Sequence, residues 1–157
     1  MTSVTPTQRL SELGLELPLP RPAGGAYSPV VIDQGLAYVS GLIAIEDDQA
    51  VYTGVLGQDL DVEDGRRSAR IACLRSLGTL AQAIGGLDEV HQIVKVTGYV
   101  RAAPTFTDLP KVLDGASTLL IDLFGEAGRS ARSTVGVAAL PRGASVEVEM
   151  VVRLRDS

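Results

Sequence analysis

Two runs near the C-terminal end read as consecutive strands: Ser130-Ala131-Arg132-Ser133-Thr134-Val135-Gly136-Val137-Ala138-Ala139-Leu140-Pro141, then Val146-Glu147-Val148-Glu149-Met150. A short Pro141-Arg142-Gly143 turn separates them. Side chains alternate along a strand, so Val146, Val148, Met150, Val152 and Leu154 share one face of the second run. Glu147, Glu149, Val151, Arg153 and Arg155 share the other. If the two strands adjoin, they bring a cation, Arg132, near a pair of carboxylates. That combination suits a small anionic ligand and a polarised water.

Outward from these strands, the chain alternates between the two periods. Ala69, Ala72, Cys73, Leu77, Leu80, Ala81 and Ile84 recur at three- and four-residue steps and predict a long helix after Asp61. Asp61, Glu63 and Asp64 suit its positive N-terminal end, and Gly85-Gly86 its stop. Val112, Leu113, Ala116, Leu119, Leu120, Leu123 and Phe124 predict a second helix from near Asp108-Leu109-Pro110 to Gly125. Between the helices, 93–101 is a strand by composition, and 30–32 with 36–40 form a hairpin around Asp33-Gln34-Gly35. Further strands are expected over about 132–140 and 145–154. Residues 1–22 read as an N-terminal extension, with a short helix over about 7–17 and a Pro-rich linker. The rest, 23–157, is one domain.

This order predicts an α+β domain whose mixed sheet of five to six strands carries two helices on one face. The second face is left partly apolar and uncovered, so a homo-oligomer is expected to bury it. At 157 residues the chain is long enough to bury roughly 70% of its unfolded surface.

Composition narrows the function classes. A net charge of −5 argues against general nucleic-acid binding, which needs a basic face. Absent tryptophan and 4% aromatics leave few platforms for stacked bases. No apolar run approaches the ~20 residues that span a bilayer. The start, Met1-Thr2-Ser3-Val4-Thr5-Pro6, lacks the charged and apolar regions of a signal peptide. A cytoplasmic location without membrane attachment is therefore expected. A single cysteine, Cys73, on the apolar side of a helix reads as a buried thiol. A single histidine excludes a multi-histidine metal site within one chain. That residue, His91, falls in what reads as a polar connection before a strand. Arg66, Arg67, Arg70 and Arg75 cluster on the long helix and read as a solvated face, with an anion site as the alternative. Dinucleotide, Walker, zincin and nucleophile-elbow motifs are absent, so no metal or nucleotide cofactor is expected.

The residues suited to chemistry are few. A guanidinium stays charged and matches a carboxylate with a planar fork, which makes Arg132 a candidate anion clamp. Its alternative is an ordinary surface arginine, and Arg129 competes for the role. Glu147 or Glu149 suits a water-positioning base, or else a partner for Arg153 or Arg155. Ser40-Gly41 ends a strand where glycine permits close backbone approach to a ligand. Tyr27, in Ala26-Tyr27-Ser28-Pro29, caps a pocket or fills the core.

Tyr27 with Tyr38-Val39-Ser40-Gly41, then 94–100, Pro110-Lys111-Val112-Leu113-Asp114-Gly115-Ala116-Ser117, 123–129, Ala131-Arg132-Ser133, 137–141 and Val146-Glu147-Val148-Glu149, stand in an order that resembles the YjgF/RidA family. That family comprises reactive-intermediate imine deaminases, and the likeness is to its longer branch, labelled endoribonuclease L-PSP or chorismate mutase-like. The resemblance covers about Gly14 to Leu154. It implies a chorismate-mutase-like fold assembled as a homotrimer, with ligand clefts between subunits. It implies catalytic roles for Arg132, on the substrate carboxylate, and for Glu147, beside the attacking water. Tyr27, Ser40, Gly41, Asp114 and Thr134 become candidate substrate-binding positions. Asp114 stands where asparagine is common, Thr134 where cysteine is, and Leu42 and Ala44 where glutamine and proline are frequent. The implied reaction hydrolyses a 2-imino acid of the 2-iminobutanoate/2-iminopropanoate type to a 2-keto acid and ammonia, without a cofactor. Two alternatives stay open: a small-carboxylate-binding or regulatory trimer without turnover, and the ribonuclease of the branch's label.

Overall fold

A computed structural model describes residues 4–156. The first helix, α1, spans Pro6–Glu12 and opens on a capping box. Gln8 N–H donates to the Thr5 hydroxyl, and the Gln8 side chain accepts from Thr5 N–H at 2.9 Å. It is shorter than the sequence spacing predicts, because the chain turns at Gly14 with φ 65°. Leu10 nonetheless joins the core, and Leu15 and Leu17 pack against it from the segment that follows.

Strands β1 (Val30–Asp33) and β2 (Leu36–Ile43) form the expected hairpin. Gln34 and Gly35 both take positive φ, the geometry of a two-residue turn that matches strand twist. A small sheet of β3 (Ile45–Glu46) and β4 (Gln49–Ala50) follows, which the sequence reading did not anticipate. Helix α2 runs Val62–Ile84, capped by Asp61 and Asp64 and closed by left-handed Gly85. Strand β5 covers Val90–Arg101 and starts earlier than expected. His91 therefore lies within a strand, not in a connection before it, and it is exposed. Helix α3 (Leu109–Phe124), β6 (Ala131–Val137) and β7 (Val146–Leu154) complete the chain.

The main sheet has five strands in the order β1-β2-β7-β5-β6, antiparallel except for the β5–β6 pair. That parallel pair needs a crossover, and α3 supplies it. The consequence for the C-terminal strands is a correction. β7 does not adjoin β6; it enters the sheet on the far side of β5, so Arg132 and Glu147 stand on strands separated by a third. β6 also ends at Val137, short of the run that reads as strand.

Helices α2 and α3 cover one face, and α1 packs against α3 as a third helix. Buried Leu77, Leu80, Leu119 and Leu120 meet Val96, Val100, Val148 and Met150 there, each such side chain contributing roughly 1.5–3 kcal/mol. The two long helices cross closely at Gly115, where any Cβ would run into the carbonyl of Arg66. No helix covers the second face. Lys95, Thr97 and Tyr99 of β5 alternate away from the core, as do Glu147, Glu149 and Val151 of β7. Val31, Tyr38 and Val135 lie exposed on the neighbouring strands. Among the described residues, no helix is long and apolar enough to cross a membrane.

Candidate functional site

A cavity of about 350 Å³ opens where segment 21–29 folds over the end of β2. Tyr27, Ser40, Gly41 and Glu147 all line it, four of the seven positions singled out from sequence. Ser40 fastens the segment to the strand: its hydroxyl donates to Ser28 O at 2.7 Å, and its N–H to Pro29 O at 2.9 Å. Tyr27 sits half-exposed at the rim, its hydroxyl accepting from Gly24 N–H at 3.3 Å.

Glu147 is placed by sheet geometry. It pairs with Ile43 of β2 and Tyr99 of β5, and its carboxylate folds over Gly41. A Cβ at position 41 would overlap that carboxylate, so glycine is what allows Glu147 its position. The pairing between β2 and β7 shifts register between Val39 and Leu42, and this irregularity turns Ser40 and Gly41 toward the cavity. Burial pushes the Glu147 carboxyl above its ordinary range, and the negative charge of Glu149 adds to the effect. Glu149 accepts a 2.8 Å hydrogen bond from the Tyr99 hydroxyl. That bond, followed by burial, raises the Tyr99 hydroxyl. Glu149 is therefore tied to Tyr99. Arg155, one of its expected partners, instead donates to Asp88 O.

Arg132 stands elsewhere. It pairs in register with Val96, which faces the helices, whereas Glu147 pairs with Tyr99, three residues further along β5. Odd spacing on a strand reverses the face, so Arg132 and Glu147 of one chain lie on opposite sides of the sheet. The Arg132 guanidinium rests on α3, donating from Nη1 to Asp114 at 2.7 Å and to the Ser117 hydroxyl at 3.1 Å, and from Nη2 to Pro110 O at 3.3 Å. Of its five N–H groups, two stay available, on Nε and Nη2. Asp114 thus holds the arginine that the sequence reading placed on a ligand. Thr134 follows on the same face, paired with Gly98. Arg129 forms an exposed pair with Glu126, at 3.1 Å.

Three arginines also line the cavity: Arg21 and Arg142, which carry no sequence signal, and Arg75, one of the helix cluster. Arg75 is a correction to the solvated arginine face. Only 9% of it is exposed, and its Nη1 donates to Ile43 O at 2.6 Å. The signal was available: Ser68, Ala72, Arg75 and Thr79 fall at four-, three- and four-residue steps, and all four are buried. Arg21 pairs with Asp48, and Arg142, at a backbone φ of 57°, donates to Asp48 O at 2.9 Å. Cys73 is fully buried, its thiol pushed up to about 12 by burial, which leaves it unsuited to act as a nucleophile. His91 lies eight residues along β5 from Tyr99, at the other end of the strand from the cavity. Among the described residues, no group of three or more His, Cys, Asp or Glu side chains is placed to hold a metal ion.

Comparison with known proteins agrees with this architecture. Residues 7–153 match the family described as "YjgF/chorismate_mutase-like, putative endoribonuclease". Protein TCP17 of Trypanosoma cruzi is 38% identical over 148 residues, covering 94% of this chain and 92% of its own. A crystal structure of a "putative endoribonuclease" from Shewanella oneidensis superposes with a TM-score of 0.92 at 35% identity, covering 96% of this chain and 99% of that one. Atu1372 of Agrobacterium tumefaciens, of unknown function, superposes at 0.86 with 36% identity, covering 94% and 91%. The chain belongs to the YjgF/chorismate-mutase-like family. Its α+β fold is the one that family shares.

Proposed function

We propose that this protein hydrolyses small 2-imino acids, of the 2-iminobutanoate/2-iminopropanoate type, to 2-keto acids and ammonia in a site completed between subunits of a homotrimer. The observation that carries this reading is Glu147, a partly buried carboxylate with a raised proton affinity, folded over Gly41 in a cavity rimmed by Tyr27. Because Arg132 of the same chain lies across the sheet, the carboxylate clamp comes from a neighbouring subunit. Its two remaining N–H groups, on Nε and Nη2, receive the substrate carboxylate there.

The chemistry asks little of the protein. Glu147 accepts a proton as water adds to the carbon of the protonated imine, giving a neutral tetrahedral carbinolamine. The same carboxyl returns that proton to the departing nitrogen, and ammonia leaves as the hydroxyl gives its own proton to the Glu147 carboxylate and the keto group forms. Holding water and imine in attack geometry removes most of the entropic part of the barrier.

An amino-acid-oxidase-coupled assay tests the reading. Wild-type protein accelerates keto-acid release from freshly generated imine. Arg132→Ala lowers kcat/KM by about 10- to 150-fold, the equivalent of a lost ~1.5–3 kcal/mol charged contact. Glu147→Gln lowers kcat by about 10²-fold or more. Unchanged imine decay in the presence of wild-type protein removes the proposal. In that case, saturable carboxylate affinity favours the binding module, to which the Arg132–Asp114 pair lends support as a guanidinium already engaged. The ribonuclease named for relatives is read out by RNA cleavage that co-purifies with the protein and disappears in Glu147→Gln.

A further inference from the structure

The cavity that holds Glu147 contains more positive charge than the proposed reaction uses. Arg75 enters it from α2, Arg21 from the segment before Tyr27, and Arg142 from the turn before β7. We propose that Arg75, flanked by Arg21 and Arg142, forms a second anion-binding subsite beside Glu147, so that the ligand carries a distal carboxylate or phosphate in addition to the carboxylate at the reacting centre. The inference deepens the imino-acid reading and rests on it for the first carboxylate. The distal group rests on the cavity alone.

Arg75 is the anchor. It is almost wholly buried, yet no carboxylate lies within 4.0 Å of it among the described residues. One N–H is spent on Ile43 O, leaving the rest of a five-donor fork without a protein acceptor among the described residues. A buried cation without a counter-charge is costly, and proteins ordinarily pair it. Arg75 also borders an adjoining hollow with Glu46 and Asp47, neither of them within ion-pair distance. Two further cations, Arg21 and Arg142, line the cavity with it, and the one carboxylate there, Glu147, forms no ion pair with it among the described residues. Burial disfavours the charged form of Arg75, and the positive charges of Arg21 and Arg142 disfavour it further. An anion between the three relieves both effects.

The subsite lies close to the proposed chemistry. The carbonyl that Arg75 grips belongs to Ile43, the register partner of Glu147. A ligand reaching Arg75 therefore passes beside the catalytic carboxyl within one small cavity. Asp48 neutralises Arg21, and its carbonyl positions Arg142, so this loop sets two of the guanidiniums without occupying Arg75. The substrate class that follows is a 2-imino acid with an acidic side chain, dicarboxylic or phosphorylated.

Calorimetry with stable keto-acid and hydroxy-acid probes separates the possibilities. The full-length protein is titrated with 2-oxobutanoate, which has one carboxylate, with 2-oxoglutarate, which has two, and with 3-phosphoglycerate, which adds a phosphate. At least tenfold tighter binding of either probe with two anionic groups is expected, and the tighter of the two identifies the distal group. Arg75→Met should erase that preference while leaving 2-oxobutanoate affinity unchanged. Arg142→Ala, at the exposed turn, should weaken it several-fold and guards against misfolding of the Arg75 variant. Equal affinity for all three probes, binding of none, or a preference that survives both substitutions overturns the subsite. Arg132→Ala keeps the two readings apart. Unchanged 2-oxobutanoate affinity in that variant removes the clamp and leaves an Arg75-dependent preference standing, whereas weaker binding of all three probes with the preference retained sustains both.

Discussion

Glu147 and Arg132 acquire their properties from different neighbours, though both were visible in one short stretch of sequence. Burial dominates at Glu147, and Glu149 two residues on adds a like charge. Its titration should therefore fall above the ordinary glutamate value of about 4.3, a shift that carbon-detected NMR of the side-chain carboxyl measures directly. Glu149→Gln removes the smaller of the two causes. The Glu147 midpoint should move to lower pH yet stay above the ordinary value, because burial persists. The same substitution replaces the charged acceptor of the Tyr99 hydroxyl with a neutral amide oxygen and should let that group ionise at lower pH. At Arg132 the environment is one of anchoring. Asp114 supplies a charged acceptor at 2.7 Å and orients the guanidinium at the cost of part of its net charge.

Among the elements, the α2–α3 crossing governs how the sheet is covered. Gly115 allows α3 to approach the backbone of α2 until the Arg66 carbonyl lies where a methyl group would stand. Gly115→Ala should force the helices apart and destabilise the protein by about 1–3 kcal/mol, the usual range for overpacking, despite alanine's better helix propensity. Urea denaturation at unchanged m-value checks it. The helices themselves were plain in the sequence, since an apolar stripe at three- and four-residue steps has few other solutions. The burial of position 75 escaped because arginine is ordinarily solvated. Its neighbours at 68, 72 and 79 are buried, and Arg75 follows them in by turning its charge toward a cavity that segment 21–29 and Arg142 complete. Those partners come from distant parts of the chain, and no local pattern announces them.

For the whole molecule, the sheet keeps one face that no helix covers. Val31, Tyr38 and Val135 are exposed on it, with Val151 and Thr97 between them. If a homotrimer forms through this face, analytical ultracentrifugation should give three times the chain mass. Tyr38→Glu should then yield a monomer with an unchanged far-ultraviolet spectrum, because the residue supports no part of the core. A monomeric wild-type protein removes both the trimer and the shared site. Periodicity and turn chemistry, both local, mark the two long helices, the first hairpin and the C-terminal strands. Strand order depends on which edges meet when the core closes. That closure inserted β7 between β2 and β5, turned Arg132 and Glu147 to opposite faces, and gathered Arg21, Arg75 and Arg142 around one cavity. Each of these rests on contacts between residues far apart in the chain, which only the folded molecule brings together.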